Sequence, residues 1–471
     1  MRLGKPFPIW DKGSMNAAEV GPSRQTVRLS ELIGALSKAL DLTEGVAFGH
    51  ALRSCLIGMR MAAVMGLGDE VRSALFYALL LKDSGCSSNA AMVQEMFLTD
   101  DLSAKHDLKM TDWTKPLQAV RYGLMVAGRG GGLMARVRRL AALAPGGLAP
   151  AKQLVAVRCT RGAEIVHMMS FPNQTAEAIR SLDEHWDGRG YPDGLKGEQI
   201  PLLARIACLS QTVEVFRASA GPDAALAMAR RRSGTWFDPA LVKVLLDVAK
   251  EDEFWRLLDA DRPVVMAAVS TLEPAEMAYI ADSDRIDKAA FAFAQIIDAK
   301  SPYTYRHSEG VAKYAVAIAQ ELDFSPAQVR EMQLAGLLHD IGKLGVPNMI
   351  LDKAGPLTAE ERDVVRRHPR YSCEILSEVE AFSGLADVAA VHHERIDGKG
   401  YYRGVALSDY PAAHRTLPVA DIYEALTANR PYREAMSQEA AVSLLRRDAG
   451  TGVCPHALGA LEAALEKGEV A

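Results

Sequence analysis

Leu334-Ala-Gly-Leu-Leu-His-Asp-Ile-Gly-Lys-Leu344 starts as an apolar helix and ends in a histidine–aspartate pair, a glycine and a lysine. Its first five residues predict a buried helix, and its end sets an imidazole, a carboxylate and an ammonium within five residues. Outward from it, apolar residues recur at three- and four-residue spacing over 30–40, 52–65, 71–81, 289–297, 311–322 and 329–338. That spacing predicts amphipathic helices. Start signals agree: Ser325-Pro326 precedes one helix, and Thr358-Ala-Glu-Glu361 reads as a capping box. Alternating β-branched runs are nearly absent, so the expected fold is all-α.

The opening stretch also has an echo. Leu80-Leu-Lys-Asp83 matches Leu337-Leu-His-Asp340, and His50 matches His307, both at an offset of 257. Further along, Asp187-Gly-Arg-Gly-Tyr-Pro192 matches Asp397-Gly-Lys-Gly-Tyr-Tyr402 at an offset of 210. Gly162-Ala-Glu-Ile165 falls on Ser372-Cys-Glu-Ile375 in the same register. The 47-residue difference predicts an insertion in the first copy, between Cys86 and Arg158. The expected organisation is an N-terminal extension over 1–27 and a first helical domain over 28–250, with its insertion at about 88–150. A mixed, acidic linker over 251–285 and a second domain over 286–471 follow. Within the insertion, 128–151 is rich in Gly, Ala, Arg and Pro and reads as an excursion around a short basic helix.

The 471 residues carry 49% hydrophobic residues, which is enough to fill cores, and a net charge of −5. A mildly acidic chain lacks the clustered Lys and Arg that displace counterions from nucleic-acid phosphates, so no nucleic-acid polymer is expected as partner. The longest apolar run, Ala74–Leu81, is far short of the ~20 residues of a membrane-spanning helix. No signal-type apolar region opens the chain, and its six cysteines show no CxxC pairing, so reduced thiols and a cytoplasmic location are expected.

Seven of the 11 histidines follow position 300. His307, His339, His368, His392 and His393, with Asp340 and Asp421, form a donor set suited to first-row divalent metals. A carboxylate beside a histidine can bridge two ions. His185, beside Trp186, reads as a packed loop residue, and His106, His167, His414 and His456 lack partners at useful spacing.

Residues 300–433 resemble the HD-GYP phosphodiesterases, a branch of the HD metal-dependent phosphohydrolases. The motifs are Lys300…Tyr303-Thr304…His307-Ser308, Leu338-His-Asp-Ile-Gly-Lys-Leu344, His368-Pro369 and His392-His-Glu-Arg-Ile-Asp-Gly-Lys-Gly-Tyr401. They continue through Val419-Ala-Asp421 to Arg430-Pro-Tyr-Arg433. The resemblance implies tandem HD-type domains, with this second copy catalytic. It assigns His307, His339, Asp340 and Asp421 to one metal ion and His368, His392 and His393 to a second, with Asp340 bridging. It implies that Lys343 acts with Asp340 in catalysis, and that Tyr401, Arg430 and Arg433 meet substrate. Two divalent ions are implied, iron or manganese ahead of nickel or zinc, and the substrate would be cyclic di-GMP or a related cyclic dinucleotide, cleaved to pGpG or GMP.

The sequence departs from that family at three positions. Tyr402 stands in place of the GYP proline, which loosens the expected substrate loop. Ser301 replaces an acidic residue, and Tyr303 occupies the position of a third-metal glutamate, favouring two ions. Another nucleotide or phosphomonoester as substrate, or a cyclic-dinucleotide sensor with little turnover, remain alternatives. Mapped by the two offsets, the first copy places Lys82 on His339, Arg158 on His368, Leu182 on His392, Asp183 on His393 and Gln211 on Asp421. A cation among ligand positions repels metals, so this copy is expected to be degenerate. Its expected roles are packing, regulation or contact with a partner, a second copy of the chain included.

Overall fold

The computed structural model describes residues 28–113, 115–127, 134, 149–304, 306–429 and 434–468. Among them the secondary structure is helical, and β-type contacts are limited to isolated bridges such as Arg28 to Ile280. The all-α expectation holds. Helices Leu29–Thr43, His50–Val64, Asp69–Leu81, Ser283–Asp298, His307–Glu321 and Pro326–Leu338 lie over the six periodic stretches. Ser325 with Gln328, and Thr358 with Glu361, close reciprocal capping boxes that satisfy backbone donors at the helix starts.

Every side chain of Ala74–Leu81 is buried, as an apolar run of that length requires. One hydrophobic cluster runs from Leu29 to Leu461 and takes in both halves of the chain. Polar contacts join the halves at its edge: Lys38 to Glu378 at 2.9 Å, Arg161 to Gln295 at 2.9 Å and Lys300 to Asp101 at 3.3 Å. The stretch 251–285, expected as a linker, contains helices Asp252–Asp259 and Arg262–Ser270. Phe254, Leu258, Val265 and Val269 are buried in the common core. Each helix is only about two turns long, too short for a 3.6-residue period to stand out in the sequence.

Polar pairs recur at the offsets read from the sequence. His50 Nδ1 meets the Glu214 carboxylate, and His307 Nδ1 meets that of Glu424. Asp41 accepts the backbone N–H of Gly49 and Ala51, while Asp298 accepts the N–H and hydroxyl of Ser308. Glu184 accepts three successive backbone N–H groups, from Asp193, Gly194 and Leu195. Glu394 does the same for Arg403, Gly404 and Val405.

The insertion supplies helices Ala90–Phe97, Asp101–Met110 and Pro116–Val126. The expected extension over 1–27 lies outside the described residues. So does the Gly-rich excursion, apart from residue 134 and its end at 149–151.

Candidate metal centre

The side chains that matter stand at helix ends. His339 caps helix Pro326–Leu338, His368 follows helix Ala359–Val365, and His392 follows helix Ser383–Ala390. Each ring Nδ1 donates to the carbonyl three residues back: to Gly336 at 2.9 Å, Val365 at 2.7 Å and Ala389 at 2.6 Å. The last carbonyls of a helix lack intrahelical donors. The histidines supply them, and in doing so fix the tautomer that leaves Nε2 as a bare lone pair.

These lone pairs converge. His368 Nε2 lies 3.1 Å from His392 Nε2 and 3.2 Å from Asp340 Oδ1. His392 Nε2 is 3.6 Å from the same oxygen. The other oxygen, Asp340 Oδ2, stands 3.3 Å from His339 Nε2 and 3.6 Å from His307 Nε2. Asp421 Oδ1 lies 3.3 Å from His307 Nε2 and 4.0 Å from His339 Nε2. His393 packs against His392, with ring centroids 4.1 Å apart, and against His368, with centroids 5.0 Å apart. Asp340 thus has one oxygen toward each group of histidines. Buried acceptors face one another here, and His339 Nε2 and Asp340 Oδ1 make no hydrogen bond. Such an arrangement calls for cations between the acceptors, and mixed imidazole and carboxylate donors fit first-row divalent ions.

Protonation follows the same charges. Burial opposes ionisation of Asp340, but His339 and Lys343 outweigh it and hold the carboxyl well below its usual range. Burial lowers His307, yet hydrogen bonds to Asp340, Asp421 and Glu424 raise it well above the ordinary imidazole value. His368 is pushed down to about 4, by burial first, and His393 falls as well, again through burial and then His392. A divalent ion among these groups would displace the His307 proton, so binding should release protons.

Glycines make the approach possible. A Cβ on Gly342 would stand 2.1 Å from the His368 carbonyl oxygen, so only glycine lets the His339-Asp340 turn reach His368. A Cβ on Gly400 would meet Glu394 Cα at 2.4 Å, and the tight loop it permits brings the Tyr401 ring onto His393, with centroids 4.7 Å apart and planes at 26°. Arg366 sits 5.2 Å from the Tyr401 ring. The loop carrying Tyr402 is pinned by Glu394 and by the 2.6 Å contact of Arg403 with Asp387, rather than loosened. Lys343 pairs with Asp340 and keeps 19% of its side chain exposed. Arg430 and Arg433 lie outside the described residues.

Glu424 was missed by the sequence reading. It sits one turn after Asp421 on helix Ala412–Thr427 and takes the His307 Nδ1, completing a carboxylate–histidine pair. The i, i+3 spacing on one helix was the available signal. Lys300, in contrast, is buried against Asp101 of the insertion. Ser301 donates to Asp352 at 2.5 Å.

The corresponding region of the first half carries paired side-chain charges. Glu44, Asp83 and Cys86 cluster closely enough to hold a metal. Lys109, from the insertion, places its ammonium 2.6 Å from Glu44 and 3.4 Å from Asp83. Lys82 pairs with Asp83 as well, and Arg158 meets Asp183 at 2.7 Å. Burial raises the Glu44 carboxyl, but Lys109 overrides it and brings it down to about 2.

The family model described as the HD domain matches residues 143–241 and 292–454. The chain belongs to the HD-domain family. It is 40% identical to 3'3'-cGAMP-specific phosphodiesterase 3 of Vibrio cholerae over 94% of this chain and 96% of that one. A cyclic di-GMP phosphodiesterase of Pseudomonas aeruginosa is 44% identical over 30% of this chain and 34% of its own length. The crystal structure of a cyclic GMP-AMP-specific phosphodiesterase from V. cholerae superposes with a TM-score of 0.64 at 36% identity, covering 93% of this chain and 98% of that one. The resemblance to the HD-GYP phosphodiesterases is borne out by these relatives. Among the described residues, no helix of this HD-domain chain is long and apolar enough to cross a membrane.

Proposed function

We propose that this chain is a metal-dependent phosphodiesterase that opens a cyclic dinucleotide. His307, His339, Asp340 and Asp421 would hold one divalent ion and His368, His392 and His393 the other, with Asp340 shared. The observation that carries this reading is the convergence of bare imidazole nitrogens on both oxygens of one buried aspartate. Iron or manganese is the choice that the family resemblance implies, and the donor set accommodates either. Two such ions supply Lewis-acid stabilisation and lower the pKa of bound water from ~15.7 towards ~7.

The chain's own groups do the rest. Lys343 touches the shared carboxylate and remains part-exposed, so its ammonium can meet a phosphoryl oxygen as charge grows there. Tyr401, held flat on His393, offers an aromatic edge to a substrate base. Glu424 orients His307 from behind. Arg430 and Arg433 remain the proposed phosphate contacts.

We assign the first half as a duplicated HD unit that binds no catalytic metal. Support comes from the family match over 143–241, the recurring polar pairs, and the Lys109 ammonium between two would-be ligands. The decisive assay loads the protein anaerobically with iron or manganese and offers 3'3'-cGAMP and cyclic di-GMP side by side. Appearance of a linear dinucleotide, or of GMP, supports the proposal. Inertness towards both with every metal would overturn it.

A further inference from the structure

The first half has a cavity of about 280 Å³ in the region that corresponds to the metal cluster of the second. Arg158, Asp183 and Gln211 line it, 210 residues before His368, His393 and Asp421. The insertion and its flank add hydrocarbon, from Val93, Phe97, Leu108 and Leu154. Another wall is aromatic: Trp113 stacks on Tyr191 at 4.9 Å and 16°, and His185 on Trp236 at 4.0 Å and 23°. A lining of this kind suits a flat, largely apolar ligand.

The polar groups narrow the choice. Glu44 Oε1, Asn89 Oδ1 and Gln211 Oε1 belong to cavity-lining residues no more than 6% exposed, and none has a hydrogen-bond partner. These three are acceptors, and a buried acceptor left without a donor is costly. Arg158 Nε and His185 Nδ1 in the same lining also lack a partner, so a ligand edge carrying ring nitrogens as well as N–H groups fits. The charges of the cations lining the cavity are already paired or capped: Lys105 by the Cys86 carbonyl, Lys109 by Glu44, and Arg158, through a terminal nitrogen, by Asp183. An anionic head group would compete with those pairs, whereas a neutral ligand with N–H donors along one edge would complete the unpaired acceptors.

Flat faces, N–H donors on an edge and no charge describe a purine. We propose that this first-half cavity is a binding site for a neutral purine, as free base or nucleoside. The site stands apart from the metal cluster, so binding is read without turnover, and a failure of the phosphodiesterase reading would leave it untouched.

The test titrates guanosine and adenosine into the metal-free full-length chain, by calorimetry and by tryptophan fluorescence, since Trp113 and Trp236 line the cavity. One saturable site per chain is expected. Leu154→Trp should fill the cavity and Gln211→Ala should remove an acceptor, each weakening binding about tenfold or more. Thermal melts report folding, and if one variant fails to fold the other decides. The proposal is overturned if neither purine binds saturably, or if both folded variants bind as tightly as the parent. It is overturned equally if Tyr401→Ala, in the second half, is what abolishes binding, or if octanoate binds the cavity while both purines do not.

Discussion

The two halves present the same backbone problem with opposite charges. In the second, histidines at helix ends aim bare nitrogens at Asp340, leaving a cluster that needs cations from outside. In the first, Asp83 and Glu44 face Lys82, Lys109 and Arg158, so the cations are covalently attached. With the first half taken as the duplicated unit proposed above, the difference teaches that a metal site can be abolished without dismantling its frame. The His50–Glu214 pair and the Glu184 loop clamp match His307–Glu424 and the Glu394 clamp, while Lys82, Arg158 and Gln211 stand at the positions of the proposed ligands.

The contrast can be broken most severely at its centre. Asp340→Ala removes both oxygens that face the histidine groups, so metal content should fall below one ion per chain, with hydrolysis down by three or more orders of magnitude. Elemental analysis alongside the cyclic-dinucleotide assay checks both. Full activity in that variant would sink the site assignment. Lys343→Ala should cost roughly 10²–10³-fold in kcat with metal content retained, the scale of losing one electrostatic stabiliser. Glu424→Gln should weaken metal binding by about 10–100-fold, as expected for a partner behind a ligand, with Mn titration as the readout.

The first half should answer differently. Lys109→Ala leaves Glu44 and Asp83 short of a buried counter-charge, so stability should drop by about 3–5 kcal/mol in urea titrations. Hydrolysis per folded molecule should stay within twofold of the parent. The last effect appears only on acidification and is absent at neutral pH. Burial pushes the His185 imidazole down to about 3. In the unfolded chain it binds a proton below about 6.5, while the folded chain refuses one until about 3. Stability from this group is therefore full above pH 6.5 and declines as pH falls towards 3, by up to about 1.4 kcal/mol per unit. His185→Phe should flatten that slope in denaturation curves taken across the window.

Much of this was legible in the sequence, for identifiable reasons. Long amphipathic stretches such as 307–321 declared themselves by period. The seven candidate ligands of the second half sit in short motifs, and the fold brings all seven into one cluster. Glu424 offered only its spacing from Asp421, because a glutamate on a helix gains its full meaning when His307 arrives from 117 residues away. Lys109 was hidden for another reason: it lies in the insertion and has no counterpart in the repeat. Lys300, part of the family motif, pairs with Asp101 across the halves, a contact that no spacing in the sequence announces. The helices of 251–285 were too short to show a period.

The Lys109 ammonium also bears on history. Restoring a metal to the first half by single steps would pass through variants carrying a buried charge without its partner. Remove Lys109 alone and two carboxylates repel; replace Lys82 or Arg158 alone and the remaining cations still exclude a divalent ion. Each intermediate is destabilised before any catalytic gain appears. In the unit proposed for this half, the inserted helix would thus act as a ratchet that makes a gain of metal binding hard to reach.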